Sequence, residues 1–238
     1  QIGGGLAIYF ATRFMGDAFS QGMLLCVFAP AAVGALVIVS ILGGHLESIA
    51  SYTVVSNLAV ALLAPVIFSF VGRHTDIPFI DSVVVITGRI MPLILLPMLL
   101  AGLLRWIRPG WHAALRERQV VSFYIWAAAL VILTAKTVEF IRLSDSSDYR
   151  TEVYMAIGAG ITCILQFIAG RAIGRRYHDA VAAGQSLGQK NNILVIWMAQ
   201  TYLDPLASIG PAAYVVWQNL GNSWQRWRKQ KAEAKTTK

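Results

Sequence analysis

The chain has 238 residues, 56% of them hydrophobic and only 13% charged, with a mean hydropathy of +0.59 and a formal net charge of +8. A soluble domain carries about 25% charged residues, so the composition excludes a water-covered globular protein and makes this an integral membrane protein. The basic residues stand between apolar runs and at the C-terminus, which fits juxtamembrane anchoring in a lipid bilayer and not a nucleic-acid surface.

About eight apolar spans follow one another, each near the roughly 20 residues a bilayer requires. They are 1–15, 22–43, 46–71, 83–104, 120–141, 153–170, 179–200 and 203–225. The first opens at Gln1 inside an apolar run, so the chain is expected to lack an N-terminal portion, and its targeting is not read from this end. Cys26 and Cys163 lie inside apolar runs and read as small hydrophobes, with no disulfide or metal-ligand spacing.

The connections alternate in charge. Segment 105–118 carries Arg105, Arg108, Arg116 and Arg118, segment 171–179 carries Arg171, Arg175 and Arg176, and the tail carries Arg226, Arg228, Lys229, Lys231, Lys235 and Lys238. The intervening connections balance Arg73 with Asp76 and Asp81, and Arg142 and Arg150 with Asp145, Asp148 and Glu152. The positive-inside rule then places the basic connections and the C-terminus in the cytoplasm, with the chain in a cell membrane, a bacterial inner membrane by expectation.

Two spans carry interruptions. Residues 29–35 put Pro30, small residues and Gly34 at mid-depth in the second span, where proline removes a helix hydrogen bond and clashes with the preceding turn. In the seventh span, Gln185, Ser186, Gln189, Lys190, Asn191 and Asn192 cluster beside Gly184 and Gly188. Such a cluster predicts a helix that opens and presents backbone groups to a cavity. Each interrupted span precedes one containing proline, Pro65 in the third and Pro205 and Pro211 in the eighth, so the chain reads as two corresponding halves. Paired interruptions of this kind point to a transporter's binding site.

Three stretches resemble the bile acid:sodium symporter family in its divergent bacterial form. Residues 26–32 (Cys-Val-Phe-Ala-Pro-Ala-Ala) resemble the turn in the family's first crossing helix. Residues 56–68, with Ser56, Asn57 and Pro65, resemble the helix after it. Residues 188–191 (Gly-Gln-Lys-Asn) and 211–219 resemble the second crossing helix and the last helix. The likeness covers almost the whole chain. It implies an all-α, polytopic fold of ten helices in two inverted repeats, of which about eight are present, with two crossing discontinuous helices. Core-domain helices of the first repeat would occupy 1–71, a panel-type pair 72–150, core helices of the second repeat 151–226, and a basic cytoplasmic tail 227–238.

The sequence departs from the family where sodium binds. Ser186 stands in place of the Glu that joins the two sodium sites, Lys190 in place of a sodium-binding Gln, and Ala35 and Leu36 in place of a Ser-Asn pair. Thr53, and Ser186 by position, are what remain of the ion-binding set. Sodium needs several oxygen ligands, so sodium coupling is not expected. An ammonium at Lys190 supplies the lost positive charge and favours an anionic substrate. Burial disfavours an ammonium, which leaves a proton or no ion at all as the coupling partner. The alternative for Lys190 is snorkelling to an interface. The resemblance places Asn191 and Gln218 in the substrate cavity, and Gln189 and Asn219 join them as candidates. The alternative for these amides is interhelical hydrogen bonding, worth about 0.6 kcal/mol on average.

The expected function is secondary transport of an organic anion, bile-acid-like or a small carboxylate or sulfonate. A transport-incompetent sensor or scaffold of the same fold is the alternative. Lys136 and Glu139 read as a helix pair, Arg89 as a snorkelling side chain, and His45 and Glu47 as solvated. No Ser/His/Asp constellation, metal-ligand spacing or phosphate-binding Gly-rich loop is legible, so neither enzymatic activity nor a cofactor is expected.

Overall fold

The computed structural model describes residues 1–32, 34–72, 78–118 and 149–236, with scattered positions between 121 and 142. Most of the fifth span, Lys136, the connection with Arg73, His74 and Asp76, and the acidic pair Asp145 and Asp148 lie outside the described residues. The described chain is all-α: α1 (Ile2–Thr12), α2 (Asp17–Phe28), α3 (Ala35–Leu42), α4 (Leu46–Val71), α5 (Phe79–Ile107), α6 (Pro109–Glu117), α7 (Tyr149–Arg175), α8 (Ala180–Gly188), α9 (Asn192–Tyr202) and α10 (Ile209–Thr236). Helices α4, α5 and α7 are long and apolar enough to cross a membrane. Val55, Leu62 and Phe70 on α4, Val84 and Leu99 on α5, and Ile161 and Leu165 on α7 face outward. Outward apolar surface on this scale suits lipid rather than water.

The second span is two helices, α2 and α3. Ala29, which precedes Pro30, is driven out of helical geometry to φ −45°, ψ 135°, the conformation a following proline ring imposes. Helix α3 then ends at Gly43 with φ +75°, a left-handed cap that glycine adopts without a Cβ penalty. The seventh span is likewise two helices, α8 and α9. Gln189 is extended after Gly188, and the Asn191 side chain accepts from the backbone N–H of Leu194 to start α9, as an N-cap asparagine does.

Helix α2 is the buried axis of the bundle, with every residue from Phe19 to Phe28 buried. One side packs Leu24, Leu25 and Phe28 against Tyr9 of α1, Val60, Ala64 and Phe68 of α4, and Val195 and Met198 of α9. The other packs Phe19, Met23 and Cys26 against Met155, Ala159 and Cys163 of α7, and Ile209 and Tyr214 of α10. Helices α7 and α8 approach closely because Gly170 and Gly174 present no side chains: a Cβ at Gly170 would overlap the Ala183 carbonyl. Small residues four apart permit this approach inside a bilayer, where apolar burial alone does not hold helices together.

The boundaries differ from the sequence reading in several places. Segment 105–118 contains the helix α6, which starts at Pro109, a favoured first helical position. The fourth span extends as helix at both ends, from Phe79 to Ile107, through Pro92 and Pro97. Finally, α10 continues without interruption to Thr236, so the described part of the basic segment 227–238 is helical. Lys229 fastens this extension to the bundle, donating to the Ile41 carbonyl at 2.9 Å at the C-terminal end of α3.

Candidate functional site at the paired helix breaks

Ending a helix inside a bundle orphans backbone groups that cost free energy unless they find partners. Here the two breaks partner each other. Ala31 and Lys190 form an isolated antiparallel bridge. Asn191 N–H donates to the Pro30 carbonyl at 2.8 Å, and Ala32 N–H donates to the Gln189 carbonyl at 3.1 Å. The Pro30 ring that ends α2 thus leaves a free carbonyl that the second break uses.

Side chains satisfy most of what remains. Ser56 Oγ accepts from Ala31 N–H at 3.2 Å, and Gln218 Oε1 accepts from Lys190 N–H at 3.1 Å. Tyr214 donates its hydroxyl to the Gly188 carbonyl at 2.8 Å. At the end of α2, Gln166 donates to the Cys26 carbonyl, and Gln1 donates to the carbonyls of Phe28 and Ala29. Gln166 also donates to Tyr214 Oη at 3.0 Å, which ties α7 to α10 behind the break.

The Lys190 ammonium is among the groups left over. Lys190 is 1% exposed, so its side chain does not reach the protein surface, and its Nζ has no hydrogen-bond partner among the described residues. The ionisable groups that bear on it among the described residues include the thiols of Cys26 and Cys163 and the Gln1 α-amino group, and none of these supplies a counter-charge as a thiol or an amine. Asn192 donates to the Lys190 carbonyl at 3.3 Å, while its own Oδ1 is also unpartnered. The C-terminal ends of α2 and α8 converge on this point, and a helix C-terminus carries partial negative charge that favours a cation. The N-terminal ends of α3 and α9 begin on the far side of the same breaks, and helix N-termini favour anions. Opposed half-helix ends with a lysine between them are a polar site inside an apolar bundle.

The candidate residues divide. Pro30 lies in the first break, Gly34 caps the start of α3, and Gly188 ends α8. Gln189 is buried, accepts from Asn222 at 3.4 Å, and places its Nε2 about where a Cβ on Gly34 would touch it. Lys190, Gln189 and Gln218 therefore meet at the bridge. Asn191 is half-buried, and its side-chain oxygen is occupied in capping α9. Asn219 lies on the exposed face of α10 and does not join the buried group. Ser186 is buried within α8. Thr53 sits on α4, where its hydroxyl donates to the Ile49 carbonyl one turn back at 2.7 Å.

Sequence reasoning passed over Gln166, Asn222 and Gln225, and it gave Ser56, Tyr214 and Gln185 no role of their own at the breaks. The signal for two of these was present: Asn222 and Gln225 follow the candidate Gln218 at i+4 and i+7 along one helix face. Among the described residues, no group of three or more His, Cys, Asp or Glu side chains is placed to hold a metal ion. No protein-family model matches the chain, and a search of curated proteins returns no match.

Proposed function

We propose that the protein is a secondary transporter of an organic anion, with the Lys190 ammonium standing where relatives of this kind would place a coupling cation. The observation that carries this reading is the buried, unpartnered Nζ of Lys190 at the bridge between two broken helices. An intramembrane ionisable residue is costly and marks a functional site by default. A lysine kept at that depth without a carboxylate is poised for a negatively charged ligand. Broken helices in corresponding positions of two halves favour a transporter over a scaffold. They also fit the ten-helix inverted-repeat architecture of the bile acid:sodium symporter family, of which this chain would hold about eight helices.

Sodium is disfavoured by the same residues. Ala35 supplies no side-chain oxygen, Lys190 supplies a positive charge, and the Thr53 hydroxyl already donates within its own helix. The coupling ion is then a proton or absent. The test is uptake of labelled carboxylates and sulfonates into proteoliposomes, with and without a sodium gradient. Uptake that persists without sodium supports the reading, and a strict sodium requirement refutes it. Binding of such anions without any flux would favour the sensor or scaffold instead.

A further inference from the structure

We infer that the polar seam between α8 and α10 is the route along which the anion passes between the Lys190 site and the membrane face bearing Arg171. This inference rests on the transport reading above and adds to it a path through the bundle.

The seam is a continuous line of side chains. Arg171 Nη2 donates to Gln225 Oε1 at 2.6 Å. Gln185 Nε2 donates to Gln225 Oε1 and to Asn222 Oδ1, each at 3.2 Å. Asn222 Nδ2 donates to Gln189 Oε1, which sits beside Lys190 at the break. Gln218, Asn222 and Gln225 form one stripe on α10, 4%, 5% and 8% exposed. From Gln218 to Gln225 the stripe covers about 10 Å of helix axis.

Stability does not account for this line. Interhelical amide hydrogen bonds are individually weak inside membranes, and an apolar seam would bury the same surface without desolvating amides. The seam is also incompletely satisfied: Gln185 is 1% exposed, yet its Oε1 has no partner among the described residues. The mechanical arrangement favours opening. Helices α8 and α10 each pack closely on α7 while their backbones approach each other at few points, so the amides, with the Tyr214 hydroxyl on the Gly188 carbonyl, link them. Parting the two helices exchanges amide–amide hydrogen bonds for amide–anion ones, and the carboxamide N–H groups donate to a carboxylate or sulfonate without any proton transfer.

The mouth selects charge. Arg175 and Arg228 are the charged groups that bear on Arg171, and Asp179 at the start of α8 is the carboxylate at the same end. A positive excess around a low-dielectric opening concentrates anions and repels cations.

The test is thiol accessibility in the full chain reconstituted in vesicles. Asn222→Cys and Gln225→Cys are each treated with an anionic sulfonate methanethiosulfonate and with its cationic trimethylammonium counterpart. The unsubstituted chain, whose Cys26 and Cys163 are buried, gives the baseline, and Leu220→Cys, on the exposed apolar face of α10, gives the lipid-facing control. Both seam positions are expected to react about 10-fold faster than position 220 and to prefer the anionic reagent about 10-fold, with Arg171→Gln removing the preference. Rates no faster than at position 220, or equal rates for the two reagents, overturn the route. Uptake with no seam labelling removes the route and leaves the transport reading standing. Anion-selective labelling with no uptake of any substrate keeps the route open to anions and removes the transport reading.

Discussion

Ala31 and Lys190 face each other across an antiparallel bridge, so the two helix interruptions are one structural unit although 159 positions of sequence separate them (190 − 31). The extended segments exchange backbone hydrogen bonds as two short strands would. A change at either break must therefore be felt at the other. Ser56 holds the unit from outside by accepting from Ala31 N–H. Ser56→Ala leaves that buried donor unpaired, which costs about 1–3 kcal/mol. The expected outcome is a lower midpoint of thermal denaturation in detergent, with Asn57→Ala on the same helix as a milder comparison.

Lys190→Met should make the protein more stable and less active. A buried charge without a partner opposes folding, and replacing buried ionic groups by apolar ones of similar size is often stabilising by about 1–4 kcal/mol. Thermal denaturation of the variant is expected to shift upward while anion uptake is lost. A downward shift would mean that the ammonium is held by favourable interactions with the carbonyl ends of α2 and α8.

Gly188→Ala should disrupt the second break by contact rather than by charge. A Cβ at this position would run into the Phe167 ring, and overpacking of this kind costs about 1–3 kcal/mol. Combining it with Phe167→Leu makes room and should restore part of the loss. Circular dichroism melts of the single and double variants measure both effects.

The extension of α10 offers a smaller, separable effect. Lys229 donates to the Ile41 carbonyl at the C-terminal end of α3 and lies 3.5 Å from Glu233 one turn along its own helix. It is partly exposed, so the loss in Lys229→Gln should be only about 0.3–1 kcal/mol and should shrink as salt is added. A melt series at low and high ionic strength checks this, and a salt-independent loss would point to packing of the lysine stem instead.

The breaks themselves were readable from local chemistry. Pro30 cannot continue a helix and restricts Ala29, and the run from Gly188 to Asn192 combines a flexible residue with an N-capping one. What pairs with what was not readable. Asn191 N–H meeting the Pro30 carbonyl, or Gln166 reaching Cys26 and Tyr214, depends on contacts between distant segments that no local pattern encodes. Thr53 and Asn219 show the opposite difficulty. Each fits a motif by position, but the helix turn places the threonine hydroxyl on its own backbone and the asparagine on an outer face. The amide stripe of α10 was legible in spacing, yet amides at helical intervals carry no meaning until α8 is known to face them. The helical continuation of 227–236 was hidden by its charge, which reads as a tail when the Trp224 and Trp227 faces are not considered with it.

In the proposed function, the Lys190 charge does the work of a cation at the bridged breaks. Thermal stabilisation by small carboxylates and sulfonates, measured in sodium-free buffer on the unsubstituted chain, Lys190→Gln and Lys190→Arg, tests it most directly. Stabilisation by an anion is expected in the unsubstituted chain, with its loss in Lys190→Gln and at least partial retention in Lys190→Arg. An equal anion-induced shift in Lys190→Gln, or a shift that appears only when sodium is added, would contradict it.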